Sequence, residues 1–140
     1  MLTVRTATAD DLPTCFALRR TVFIDEQQVP EDEEWDGRDA DCVHFLALLD
    51  GVAVGTARLR EVDGKGKAER VAVLASARKA GAGRAVMEAL HDEARRKGLP
   101  RVVLAAQLSA LPFYERLGYA AWGGVFDDAG IPHRWMGLEL

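Results

Sequence analysis

Seven residues, Arg78-Lys79-Ala80-Gly81-Ala82-Gly83-Arg84, set two glycines among three cations. The run before them, Arg70-Val71-Ala72-Val73-Leu74, is apolar and β-branched and reads as a buried strand. After them Val86, Met87, Leu90 and Ala94 recur at helical spacing on one face. The stretch is therefore a strand, a basic glycine-containing loop and a helix N-terminus. That order aims unpaired backbone N–H groups and the positive end of a helix dipole at one point. Glycine lets an anion come close to the backbone. The chemistry this suits is the cradling of a phosphate or pyrophosphate. The competing reading is a helix start that uses glycine only for close packing. No Gly-Lys-Ser/Thr follows, so the stretch is not a Walker A loop. A dinucleotide fingerprint from Gly81 needs a third glycine where Val86 stands.

A second set lies downstream in Phe113-Tyr114-Glu115-Arg116-Leu117-Gly118-Tyr119. A phenol, with an ordinary pKa near ~10, stays protonated at neutral pH and can give its proton to a leaving group. The alternative for Tyr114 is packing in a short amphipathic helix beside Phe113 and Leu117. His91 and His133 have no partners at metal-ligand spacing, and no metal site is expected. Trp35, Trp122 and Trp135 read by default as sheet packing.

The elements that must position these residues follow from periodicity and turn chemistry. Leu2 to Thr6 alternates as a first strand. Thr8 caps a helix that runs to about Arg20 or Val22, with a second helical piece over Phe23 to Gln28. Glu31 to Asp41 reads as an acidic loop. Val43 to Leu49 and Val52 to Arg60 are strands joined by the hairpin signal Asp50-Gly51. Asp63 to Lys67 is a looser turn, and Glu69 to Leu74 is the strand entering the cradle. The helix after the cradle ends at Gly98 behind Arg95, Arg96 and Lys97. Arg101 to Ala105 then lies parallel to the pre-cradle strand as a βαβ crossover. Ser109 to Leu117 is a short helix. Tyr119 to Phe126 and His133 to Leu140 are final strands around a turn at Asp127 to Gly130. The expectation is one α+β domain over 1–140, with a mixed, mostly antiparallel sheet flanked by helices and a late βαβ unit.

At 140 residues the chain can bury a sizeable core. No apolar run approaches the ~18 residues of a membrane span, and the first residues lack a signal-peptide apolar region. Cys15 and Cys42 are too few for a disulfide framework, which points to reduced thiols and a cytoplasmic location. A net charge of -4 argues against a nucleic-acid trap. From Asp25 to Asp41 nine acidic residues face one basic one, so that region would suit a cation if it were not simply a solvated loop.

The cradle matches Arg/Gln-x-x-Gly-x-Gly/Ala, and Ala110-Leu111-Pro112-Phe113-Tyr114-Glu115-Arg116-Leu117-Gly118-Tyr119 resembles Ala-x-x-x-Tyr-Glu-x-x-Gly-Phe/Tyr. These are two signatures of the GCN5-related N-acetyltransferase (GNAT) family, in the right order and about 30 residues apart. The stretch Arg19 to Pro30, then Glu33 to Asp39 and His44, resembles the ElaA-like branch. The likeness covers the whole chain. It implies acetyl-CoA as co-substrate and, as acceptor, an amine of a small molecule or peptide that attacks directly in a ternary complex. The strand at Val71, Ala72 and Val73 would splay from the strand at Val102 to Ala105 and pair with the pantetheine arm. The pyrophosphate would sit on the N–H groups of Lys79, Ala80, Gly81, Ala82, Gly83 and Arg84, with Arg78 adding charge. Ala80 brings no side-chain charge, so any grip there is through its N–H.

Gln107 occupies the slot where many relatives carry Asn. Tyr114 falls on the family's general acid. Glu69 lies where some relatives place a base, although a deprotonated amine needs none. Glu26 and His44 fall in the branch pattern and could line the acceptor site. An acyl-CoA-binding module without turnover is the alternative, and a cradle for another nucleotide a third reading. The final strands and exposed tryptophans could form a homodimer surface.

Overall fold

The computed structural model describes residues 1–140. In chain order the strands are β1 (Leu2–Thr6), β2 (Val43–Leu49), β3 (Val52–Val62), β4 (Lys65–Val73), β5 (Arg101–Gln107), β6 (Ala120–Asp128) and β7 (Ile131–Glu139). The helices are α1 (Leu12–Arg19), α2 (Glu31–Glu34), α3 (Ala82–Arg96) and α4 (Leu111–Arg116). One seven-stranded sheet has the order β1-β2-β3-β4-β5-β7-β6. Every neighbouring pair is antiparallel except β4 and β5, which α3 joins as a crossover.

Hairpin turns set the register. Asp50-Gly51 and Asp63-Gly64 place both central residues at positive φ, the backbone that matches strand twist in a two-residue hairpin. The turn after Val62 is thus tight, and β4 begins at Lys65 instead of Glu69. α3 packs Val86, Met87, Leu90 and Ala94, each 0% exposed, against the sheet. Burying a side chain of the size of Val86, Met87 or Leu90 stabilises the fold by roughly 1.5–3 kcal/mol. No helix is long and apolar enough to cross a membrane.

Two expectations about the N-terminal half are corrected. α1 does not stop and restart; it widens without a break into a π-helical segment, Arg20–Glu26. The acidic run is also not a solvated loop. Glu31–Glu34 forms one helical turn and Asp39–Asp41 another, tighter one. Three of its acids instead meet buried arginines. Arg19, 0% exposed, donates to Glu34 at 2.7 Å and to Asp39 at 2.7 Å. Arg58, 0% exposed, donates to Asp36 at 2.7 Å and to Asp39 at 2.8 Å. The cations sit on α1 and β3, some twenty residues away along the chain, so local composition could not reveal the pairing.

Candidate active site

The site begins with a divergence of two strands. β4 and β5 pair only at Gly66↔Val102 and Lys67↔Val103. From Ala68 to Val73 the edge of β4 that faces β5 has no strand partner. The cause is local. β4 carries a bulge, because the register against β3 shifts between Thr56 and Arg58, and Arg70 there adopts φ 55°. A bulge bends and twists its strand and frees backbone groups. Arg70 holds this unfavourable backbone with its own side chain, which donates to the Glu34 carbonyl at 3.2 Å and the Asp36 carboxylate at 3.3 Å. The acidic run therefore clamps the bulge that opens the sheet.

The opening is a cleft of about 750 Å³. Its walls include Glu69 and Val71 of β4, Gln107 of β5, Tyr114 of α4, Glu26 of the π-helical segment, and Arg78. Beyond Arg78, Gly81 adopts φ 85° and caps the start of α3. The N–H groups of Lys79, Gly81, Ala82, Gly83 and Arg84 have no backbone acceptor, whereas Ala80 donates to the Ala77 carbonyl at 3.1 Å. The expected grip at Ala80 is thereby corrected: a turn has taken that hydrogen. Four successive free N–H groups at a helix N-terminus fit an anion of the pyrophosphate type. Gly83 also serves packing. A Cβ there would stand 3.1 Å from Phe113 Cζ. Arg78 donates to the Val73 carbonyl at 3.1 Å and to Glu26 at 2.6 Å, which ties the cradle to the helical wall. That pairing holds the Glu26 carboxyl below its usual range.

Tyr114 is 8% exposed and lines the cleft. Burial pushes its phenol well above the ordinary value, so it stays protonated. Glu69 also lines the cleft, but its carboxylate is committed. Arg58 donates to it at 3.0 Å, Arg60 at 2.9 Å, and Lys67 lies 3.1 Å away. Burial alone would raise its pKa; the Arg60 hydrogen bond and the charges of Arg58 and Lys67 hold it at about 2. A carboxylate held that low is a weak base near neutrality, which argues against the role suggested by its place in the chain. His44 does not reach the cleft. It is 4% exposed, hydrogen-bonded to the Asp39 carbonyl at 3.0 Å and packed on Phe16. Gln107 donates to Gln27 at 2.8 Å across the cleft floor.

One cleft residue carries no motif. His133 lines the wall from β7 and pairs across the ladder with Gln107. No local pattern marked it; only the return of β7 beside β5 brings it to the site.

The match to known proteins agrees with this geometry. The model of the acetyltransferase (GNAT) family matches residues 8–119. YjcF of Bacillus subtilis (strain 168), described as an uncharacterized N-acetyltransferase, is 41% identical over 128 residues, spanning 91% of both chains. An acyl-CoA N-acyltransferase from Pseudomonas aeruginosa superposes with a TM-score of 0.82 at 32% identity, over 98% of this chain and 97% of that one. Escherichia coli ElaA gives 0.85 at 25% identity over 98% and 99%. The chain belongs to the GNAT acetyltransferase family, whose members move an acyl group from an acyl-CoA donor.

Proposed function

We propose that this protein transfers an acetyl group from acetyl-CoA to a primary amine of a small molecule or peptide, by direct attack in a ternary complex. The observation that carries the reading is that cradle and cleft adjoin at Arg78, which lines the cleft and is bonded to the end of β4. Beyond Arg78 lie the free N–H groups at the start of α3, and on its other side lies a gap whose β4 edge has no strand partner and whose wall holds a protonated Tyr114. The pyrophosphate binds at Lys79 and Gly81 to Arg84, within the field of Arg78. The pantetheine arm pairs with backbone groups of Val71, Ala72 and Val73 and passes Gln107. The thioester then lies between Tyr114 and the face that admits the acceptor.

Holding donor and acceptor in line supplies most of the acceleration, up to roughly 7–11 kcal/mol for ideal orientation. As the nitrogen bonds to the carbonyl carbon and the C–S bond breaks, Tyr114 gives its proton to the thiolate. A buried phenol is a weaker acid than a thiol, so this transfer alone runs uphill. It is balanced by the proton that the new amide nitrogen must shed, which restores the phenol. Glu26, tied to Arg78, and Gln27, tied to Gln107, make the helical wall of the acceptor side. The acceptor is an amine that reaches the cleft as a cation, drawn by Glu33 and Asp128 at its rim. Glu34, Asp36 and Asp39 are spent on arginines and contribute little of that attraction.

The test is CoA release from acetyl-CoA across a panel of cationic, neutral and anionic amines and peptides, alongside thermal shift. Amine-dependent release, greatest for cationic acceptors, is expected. Binding of acetyl-CoA with no release for any amine would leave only a binding module. Greater stabilisation by ATP or NAD than by acetyl-CoA would remove the donor assignment.

A further inference from the structure

Two of the three histidines are spent on packing. His44 is bonded to a backbone carbonyl away from the cleft. His91 lies 2.6 Å from the Tyr119 hydroxyl in the core, and burial lowers its pKa to about 4. His133 is different. It lines the cleft, is 8% exposed, and its Nδ1 lies 2.7 Å from the Ile131 carbonyl oxygen. A carbonyl oxygen only accepts, so Nδ1 carries the hydrogen and Nε2 of the neutral ring keeps its lone pair. Nε2 has no hydrogen-bond partner in the chain. The Phe126 ring stacks on the imidazole at 6.0 Å and 26°, which limits rotation.

The ring also stands on the acceptor's side. Directly opposed residues of an antiparallel pair point to one face of the sheet. His133 opposes Gln107, whose side chain reaches Gln27 of the helical wall. The Trp135 side chain, two residues on, continues that face beneath Lys67. Glu69 is the other candidate base there, and three cations hold it as a spent carboxylate.

Building on the acyl-transfer reading, we propose that His133 is the general base that prepares the acceptor. Nε2 takes one proton from the bound ammonium group and passes it to solvent. The neutral nitrogen attacks the thioester carbon, the C–S bond breaks, and the thiolate takes the Tyr114 proton. The proton shed by the amide nitrogen restores Tyr114. The ammonium loses two protons in all, one to solvent and one to the CoA thiol.

The test compares wild type with His133→Gln and His133→Asn in CoA release with an accepted amine, from about pH 5.5 to 9, and in acetyl-CoA binding. The charged and titratable groups that line the cleft with the ring are Asp128 of its own hairpin, Lys67, Glu69 and Arg70 of β4, Arg78 of the basic loop, and Glu26, Glu33, Glu34 and Tyr114 from the helical walls. The expected result is a loss of about 10²-fold in kcat/KM for the amine near neutrality. The deficit shrinks as rising pH deprotonates the free amine, exogenous imidazole restores part of the rate, and acetyl-CoA affinity is unchanged. Unchanged rates, or an equal loss at every pH, would overturn the role. A wild type that binds acetyl-CoA and releases no CoA with any amine would remove the acyl-transfer reading itself and His133's part with it. Asn retains an amide that can donate to the Ile131 carbonyl, so it supplies the comparison if the Gln variant does not fold.

Discussion

Replacing Glu69 by Gln separates the two roles open to that side chain. In the folded chain its carboxyl is held at about 2, against an ordinary value of 4.5, by Arg60, Arg58 and Lys67 overcoming the effect of burial. A depression of that size is worth about 3 kcal/mol of stability at neutral pH. For a chain of 140 residues it corresponds to a fall in Tm of about 10 °C. The direction with pH follows from the depressed value. The contribution is complete above the ordinary value of 4.5 and is lost as pH falls through the folded one. Melting curves of wild type and Glu69→Gln should therefore differ most near pH 7 and converge as acid is added between about pH 4.5 and 2. Transfer activity of the folded variant should fall little. A variant that melts within about 2 °C of wild type but loses acetyl transfer a hundredfold would refute the anchor and make Glu69 the base.

Tyr114→Phe should lower kcat at least about tenfold with little change in acetyl-CoA affinity, read by CoA release and thermal shift; wild-type turnover would remove Tyr114 from the chemistry. Gly83→Val drives a side chain into Phe113, which lies 3.1 Å from the glycine's added Cβ position. It should raise KM for acetyl-CoA and lower kcat together, because Phe113 adjoins Tyr114. Arg58→Met leaves Asp36, Asp39 and Glu69 without a buried cation they share. A loss of about 3–5 kcal/mol is expected by denaturant titration.

Sequence alone determined the cradle and most of the frame. The reason is that the cradle is local: a strand, two glycines among cations and an amphipathic helix lie within about 25 residues, and their physics needs nothing distant. The Asp50-Gly51 turn was legible for the same reason, since an Asp-Gly pair carries its own conformational demand, whereas the turn expected to be loose over Asp63 to Lys67 is a tight one at Asp63-Gly64. β2, a nearly continuous apolar run that stops at the Asp50-Gly51 turn, began and ended where expected.

Tertiary structure decided what the acidic run does and which side chains share the cleft. Glu34, Asp36 and Asp39 looked like solvent-facing charge because their partners, Arg19, Arg58 and Arg70, lie on other elements. Glu69 stands where some relatives place a base, and only the fold shows that β3 lays Arg58 and Arg60 beside it. The opening between β4 and β5 depends on a bulge at Arg70 that no propensity signals, because a positive φ there is stabilised by contacts from α2. His133 entered the site only because β7 returns antiparallel to β5 and sets it opposite Gln107. Local residue order sets the glycine loop and its free N–H groups; the register of distant strands decides which side chains are paired and which are left unpaired.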